Sequence, residues 1–370
     1  MRKFHPLRIA ELQPDAEDAI AIALEVPREL QTEYVGLPGQ HVVLKTDLGG
    51  EETRRTYSLI NTPGEWPLRI VARVHENGRM SRYLADYAKV GDQIDVLPPN
   101  GSLTPRQEAS STEARSVRTY VAFASGCGIT PVLSVAKALL RADRANRVIL
   151  FYGNRSTERV MCLEELLGLK DHYLDRLALH FVMSREPQEV ELYNGRVDAM
   201  RVRELARTLF KPDQVAEYFV CGPGDMIEQV SGALRELNVR AERIHGEHFT
   251  VVTTTGGAAE PDVTSTPVAP PPSPIADSAA VTVLMDGRRR TFTMHINGDT
   301  VLDAAERAGL SLPFSCRAGV CSTCRTKVVS GEVEMAQNYA LEDWELEQGY
   351  VLACQARVKT PALELDYDEK

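Results

Sequence analysis

The 370-residue sequence predicts a multidomain chain with an antiparallel β-barrel, an α/β domain on a parallel sheet, and a small α+β domain at its C-terminal end. Three observations predict it. Residues 5–104 read as short β-rich runs broken by turn signals. From 119 to 237, apolar strands alternate with helices. Residues 253–278 are rich in Pro, Thr, Ala and Gly and hold no aromatic residue, so they bury too little apolar surface to fold. The length also exceeds what one ordinary core supports.

In the first part, strands are expected at 20–26, 41–46, 54–60, 68–74 and 93–96, punctuated by Pro38-Gly39, Gly49-Gly50 and Gly91-Asp92. Many short strands at such spacing suggest a barrel. A polar stretch, 105–116, follows. Strands are then expected at 119–124, 148–152, 177–183 and 217–221, with helices at 130–140, 164–169, 198–209 and 225–237. This alternation implies a parallel sheet. The Pro-rich run should be an extended, semi-rigid tether. In the tail, strands 281–285 and 290–296 flank Asp286-Gly287, a strong hairpin signal. A helix is expected over 301–308, opened by a capping box of Thr300 and Asp303 and closed by Gly309. The expected domains are therefore 1–112, 113–252, a linker at 253–278, and 279–370.

The formal net charge of −10 argues against nucleic-acid binding, which needs a basic patch. It fits docking to a basic partner, or simply a soluble acidic surface. No stretch approaches the roughly 18 apolar residues of a membrane span, and residues 1–14 have no apolar signal core. A cytoplasmic, membrane-free protein is expected.

Of seven cysteines, three (Cys127, Cys162, Cys221) are scattered, and four fall in the tail as Cys316-x4-Cys321-x2-Cys324 and, after 29 intervening residues, Cys354. Clustered cysteines in a long chain suggest metal binding rather than disulfides. A structural zinc site usually shows two short C-x2-C pairs or histidine partners, and neither is here. The spacing is that of plant-type [2Fe–2S] proteins. Such a cluster needs two thiolates per iron, three from one close-wrapped loop and the fourth from elsewhere. The small residues Ala318, Gly319, Ser322 and Thr323 would let backbone N–H groups reach the sulfides. A ββα start followed by this loop fits a β-grasp ferredoxin domain.

Upstream, Arg54-Arg55-Thr56-Tyr57-Ser58 is followed by Gly78-Arg79-Met80-Ser81. This pairing resembles the ferredoxin–NADP reductase superfamily, with its Arg-x-Tyr-Ser strand and Gly-x-x-Ser helix start. The resemblance implies FAD bound on the barrel: Tyr57 stacked on the ring system, Arg55 on the pyrophosphate, and the Arg79, Met80 and Ser81 helix start on the phosphates. After the strand at 119–124 come Gly126, Gly128, Thr130 and Pro131. The glycines permit close approach of a pyrophosphate and the helix start supplies positive potential. The strand at 217–221 ends in Cys221-Gly222-Pro223, with Met226 beyond. By itself Cys221 reads as a small buried hydrophobe; the resemblance implies that it sits beside the nicotinamide. Cys127 reads as a packed loop residue and Cys162 as core.

Ser184-Arg185 at one strand end and Arg155 at the previous one match an NADP-type 2′-phosphate site, with Arg185 as a solvated loop residue the alternative. Glu247 and Phe249 fall where the superfamily often places a Glu and an aromatic near the flavin; His245 and His248 read as solvated or structural.

Excepting the linker, the chain resembles reductases of bacterial multicomponent oxygenases. Residues 316–355, with the runs around Gly126 and Cys221, resemble most the reductase subunits of phenylacetyl-CoA epoxidases. That resemblance implies NADPH-dependent electron transfer through FAD and [2Fe–2S] to a diiron oxygenase component in phenylacetate catabolism, with Tyr57, Ser58 and Cys221 around the hydride-transfer junction. A reductase for another oxygenase, a desaturase or a hybrid-cluster protein is the alternative. The tether would let the tail swing between flavin and partner. The acidic run Glu342, Asp343, Glu345 and Glu347 reads either as a partner-steering face or as a solvated helix face.

Overall fold

A computed structural model describes residues 3–101, 103–106, 117–248, 278–341 and 343–369. It divides into two compact units, one holding the barrel and parallel sheet and the other the C-terminal domain. The expected linker lies outside the described residues except for Ser278, as does the expected boundary at 112/113.

The barrel runs β1 (His5–Pro14), β2 (Ala19–Glu25), a one-turn α1 (Gln31–Tyr34), β3 (His41–Asp47), β4 (Glu52–Ser58), β5 (Leu68–Arg73), α2 (Arg79–Asp86) and β6 (Gln93–Asn100). Its antiparallel sheet has the order β4-β3-β6-β1-β2-β5. A bridge from Leu59 to Ile70 joins the outer strands, so the sheet curls shut. Ile22, Leu24, Val42, Leu44 and Ile70 fill the interior. The expected strands do not include β1, whose inward alternation rests on Leu7 and Ile9 alone. Strand β4 ends at Ser58 rather than 60. Asn61 turns the chain there, its amide donating to the carbonyls of Glu65 (3.2 Å) and Pro67 (2.9 Å).

The next part runs β7 (Arg118–Ser125), α3 (Ile129–Ala142), β8 (Asn146–Asn154), α4 (Leu163–His172), β9 (Leu177–Met183), α5 (Ala199–Thr208), β10 (Val215–Gly222), α6 (Gly224–Glu236) and β11 (Ile244–His248). Its strands are parallel, in the order β11-β10-β7-β8-β9. Strand β7 shows the continuous buried run of a strand covered on both faces. On one face, α3 and α4 share a core with Ile60, Val71 and Leu103 of the barrel. On the other, α5 and α6 close a second core. Sandwiched between barrel and sheet, α3 is buried along nearly its whole length. The chain reverses its direction of travel across the sheet between β7 and β10. In open α/β sheets that switch point is where ligands bind, beyond the carboxyl ends of the strands.

The C-terminal unit runs β12 (Ser278–Met285), β13 (Arg288–His295), α7 (Val301–Arg307), β14 (Arg325–Ser330), β15 (Val333–Met335), α8 (Asp343–Glu347), β16 (Tyr350–Leu352), β17 (Ala356–Val358) and β18 (Ala362–Asp366). The main sheet has the order β13-β12-β18-β14-β16, with β15 and β17 paired apart. Alternate residues Ala279, Val281, Val283 and Met285 face the core, the period-two pattern of a sheet with one buried face. Asp286 (φ 53°) and Gly287 (φ 67°) form the expected tight turn, and both N–H groups donate to the Asp368 carboxylate at 2.8 Å. Thr300 caps α7 by accepting from the Asp303 N–H (3.2 Å), and Gly309 (φ 76°) closes it. Such a cap contributes about 1 kcal/mol.

Candidate functional site

The switch point gathers the predicted nucleotide residues. Gly126 takes φ 55° and starts the turn from β7 into α3. A Cβ on Gly128 would fall onto the Cys221 carbonyl and lie 2.8 Å from the Gly222 nitrogen, so the β7 turn and the β10 end touch backbone to backbone. Gly222 is packed likewise: its Cβ would meet the Met226 sulfur at 2.9 Å. The Thr130 hydroxyl donates to the Cys127 carbonyl (2.9 Å) and, with buried Pro131, fixes the first turn of α3. Pro223 is exposed and Met226 buried at the start of α6. Cys127 is half-buried in the turn, and Cys162 lies in the core.

Strands β8 and β9 end side by side. Ser184 N–H donates to the Asn154 carbonyl and Arg185 N–H to the Arg155 carbonyl, each at 2.9 Å. Ser184, Arg155 and Arg185 are exposed. The neighbouring Glu186 is engaged, its carboxylate accepting from the Thr157 N–H and hydroxyl at 2.7 Å.

On the barrel, register sets Ser58 opposite His41 and Tyr57 opposite Val42. Tyr57 is half-buried and Arg55 exposed. The Ser81 hydroxyl accepts from the His75 N–H (3.2 Å) and leaves no room for a side chain at Gly78. It therefore ties the loop to α2, whose first turn holds N–H groups without intrahelical acceptors. Arg79 reaches back to Glu51 (2.5 Å) and the Leu48 carbonyl (2.7 Å), and the Met80 side chain belongs to the barrel core.

Sequence reasoning missed His41. Its Nδ1 lies 3.1 Å from Glu247 Oε1, both side chains being buried. Glu247 pairs in register with Cys221 across β10 and β11. Burial first, then the Glu247 charge, pushes the Cys221 thiol up, so it stays protonated. Ser58 Oγ, His41 Nε2 and Glu247 Oε2 are buried without protein partners. Three orphaned polar atoms on residues joined by register and by the His41–Glu247 pair are what a bound polar group such as a flavin edge would satisfy, and flavin fits there. The only sequence signal for His41 is its place opposite Ser58, and it needs the register to be read. Phe249 lies outside the described residues, as does the His248 side chain. His245 is structural rather than solvated: it is buried, stacks on Phe219 at 5.2 Å and pairs with Glu217 at 2.9 Å.

In the C-terminal unit the four tail cysteines converge and none is in a disulfide. The nearby Cys321 sulfur first, then that of Cys354, holds Cys316 far below the usual thiol range. The bond to Cys316 pushes Cys321 up, and bonds to Cys316 and Cys324 push Cys354 up. Among the described residues no group converges as a single-ion site. A binuclear cluster does not require one, because its thiolates divide two per iron. The Ala318 N–H points at the Cys316 sulfur (3.4 Å). The loop bends through Gly319 (φ 75°) but also through the non-glycine Arg317 (φ 53°) and Ser322 (φ 48°). Three contacts hold Arg317 there, and none was foreseen. Arg317 pairs with Asp303 (2.8 Å) and Glu306 (2.6 Å) of α7, and the Gln355 amide donates to the Arg317 carbonyl (2.8 Å). The acidic run is not one solvated face: Glu345 is buried and pairs with Arg325 at 2.8 Å, while Glu347 is exposed. Glu342 and the Asp343 side chain lie outside the described residues.

Three family models match in series: an oxidoreductase FAD-binding domain over residues 8–104, an oxidoreductase NAD-binding domain over 123–232, and a 2Fe-2S iron-sulfur cluster binding domain over 283–359. The chain is 36% identical over 372 residues to a subunit of the 1,2-phenylacetyl-CoA epoxidase of Escherichia coli K12, covering 100% of this chain and 99% of that protein. The chain belongs to the FAD- and [2Fe–2S]-containing oxygenase reductases. This reductase is also 30% identical over 366 residues to the ferredoxin reductase component of 3-ketosteroid-9-alpha-monooxygenase from Rhodococcus rhodochrous, covering 98% and 96% of the two chains. Its fold matches that of phthalate dioxygenase reductase with a TM-score of 0.56, at 24% identity and 98% coverage of both chains. The reductase is an NAD(P)H-dependent oxidoreductase with FAD, nicotinamide-nucleotide and [2Fe–2S] domains in that order. Among the described residues no helix is long and apolar enough to cross a membrane.

Proposed function

We propose that this reductase carries electrons from NADPH to the diiron oxygenase component of a phenylacetyl-CoA epoxidase. The full-length identity to a subunit of such an epoxidase carries this reading. Bound FAD would accept a hydride from the nicotinamide and release its electrons singly to the [2Fe–2S] cluster.

Arg55 and the Arg79–Met80–Ser81 helix start would hold the FAD phosphates, and Tyr57 would cover the ring system. Gly126, Gly128, Thr130 and Pro131 would seat the nucleotide pyrophosphate. Gly222, Pro223 and Met226 would bound the nicotinamide pocket, with Ser58 and Cys221 flanking the junction. Cys221, buried and protonated, would keep water from the reacting carbon. His41 Nε2 and Glu247 Oε2 would bond the flavin edge. Cys316, Cys321, Cys324 and Cys354 would ligate the cluster.

The choice of NADPH rests on Arg185, Ser184 and Arg155 at adjoining strand ends. Glu186, the carboxylate that follows Arg185, is engaged with Thr157. Arg185→Ala should raise KM for NADPH about tenfold or more, the worth of a charge-assisted bond, and barely move KM for NADH. Equal effects in steady-state assays would end the 2′-phosphate assignment.

The partner is tested by reconstitution. Purified phenylacetyl-CoA epoxidase oxygenase components should support coupled NADPH oxidation and epoxide formation with this reductase. Turnover only with a 3-ketosteroid or other oxygenase would overturn the partner assignment.

A further inference from the structure

Helix α3 carries Ser134, Lys137 and Arg141 at i, i+3 and i+7, one stripe on one face. That stripe grips three consecutive barrel residues. Lys137, only 5% exposed, donates to the Ile60 carbonyl at 2.8 Å. Ser134 Oγ donates to the Asn61 carbonyl at 2.5 Å, and Arg141 donates to the Thr62 hydroxyl. The gripped segment begins two residues after Ser58.

The grip closes on itself. Lys137 pairs with Glu165 of α4, and the other Glu165 oxygen takes Arg69 of β5 at 3.0 Å. The Arg69 carbonyl in turn accepts from the Ile60 N–H at 3.0 Å. Ser134 Oγ also accepts from the Gly39 N–H at 3.3 Å, two residues before His41. The segments leading to His41 and away from Ser58 are therefore both tied to the helix that opens at the Gly126–Gly128 turn.

Apolar contacts already join α3 to the barrel through Ile60, Val71 and Leu103. Buried charges add little net stability over apolar packing, but they are demanding of geometry. We propose that Ser134, Lys137 and Arg141 are positioning residues: they set the nicotinamide site of α3 in register with the flavin strand, and so the alignment for hydride transfer. This rests on the nucleotide and flavin sites proposed above.

The test combines Lys137→Met with Glu165→Gln, so that neither member of the buried pair is left charged alone; Arg69, the other partner of Glu165, is 41% exposed and stays solvated. FAD content, NADP+ affinity by calorimetry and electron passage from photoreduced flavin to the cluster should be unchanged. The charge-transfer absorbance with NADP+ should weaken and exchange of the Ile60 amide should quicken. Single-turnover flavin reduction by NADPH should slow by about 10–100-fold, the cost of a misplacement of order 1 Å. Native absorbance and native reduction rate in this variant would overturn the proposal while leaving the sites intact. If the double variant does not fold, Ser134→Ala should show the same pattern more weakly, and native values there would overturn it equally. A wild-type protein reduced by no nicotinamide nucleotide would overturn the site assignment and this inference together.

Discussion

Replacing Cys324 with alanine is expected to abolish reduction of cytochrome c by NADPH while reduction of ferricyanide continues near the wild-type rate. Cys324 is 2% exposed, at the end of the cluster loop. Its carbonyl accepts the Ala353 N–H at 3.1 Å, which ties the loop to the segment that carries Cys354. Removing this sulfur leaves one iron a single thiolate. Acid-labile sulfide should fall to background, and the rhombic signal after dithionite treatment should vanish. The C-terminal unit should lose the stability that ligand binding confers. The flavin lies in the other compact unit and should keep its absorbance. Ferricyanide can take electrons from flavin directly, so its reduction reads that unit alone. Retained cytochrome c activity in a cluster-free variant would remove the cluster from the path.

The second large effect is expected from Gly128→Ala. The backbone of Gly128 is ordinary for any residue (φ −60°), so the constraint is space, not conformation. The added methyl would strike the Cys221 carbonyl and crowd the Gly222 nitrogen at 2.8 Å. Both are backbone atoms of strand β10 and cannot rotate away. The end of β10 must shift, and with it Cys221 and, through register, Glu247. Overpacking of this kind costs about 1–3 kcal/mol of stability. The larger consequence is functional: NADPH-driven flavin reduction should fall about a hundredfold, the effect of a misplacement near 1 Å. FAD content should persist, because Arg55, Tyr57 and the Arg79–Ser81 helix start, which would hold its phosphates and cover its ring system, are on β4 and α2, away from β10. Stopped-flow reduction with FAD content measured on the same sample checks this, and a native rate would show that β10 tolerates the shift.

Local signals in the sequence were enough for the element types and for the cysteine quartet. Alternation of period two in β12, continuous apolar runs in β7, the Asp286-Gly287 turn and the Thr300 cap each act over a few residues, and each is where the sequence predicts it. The four thiolates are legible for a related reason: three must come from one tight loop, so their spacing is fixed by the cluster's size. What escaped was set by pairing across distance. His41 acquires meaning only when β3 sets it opposite Ser58 and β11 brings Glu247 to it from 206 residues away. Glu345 reads as one of four acidic residues among the six of 342–347 until the fold turns it inward onto Arg325. Lys137 looks like an ordinary helix lysine until the barrel covers it.

By itself, then, the sequence determined the kinds of element, their order and the close spacing of the tail cysteines, because helix, strand and loop chemistry depend on neighbours along the chain. Only the tertiary structure decided which polar side chains are buried together and which barrel residues the nucleotide helix grips. Those choices depend on strand register and on how two sheets enclose one helix, and no short stretch of residues encodes either.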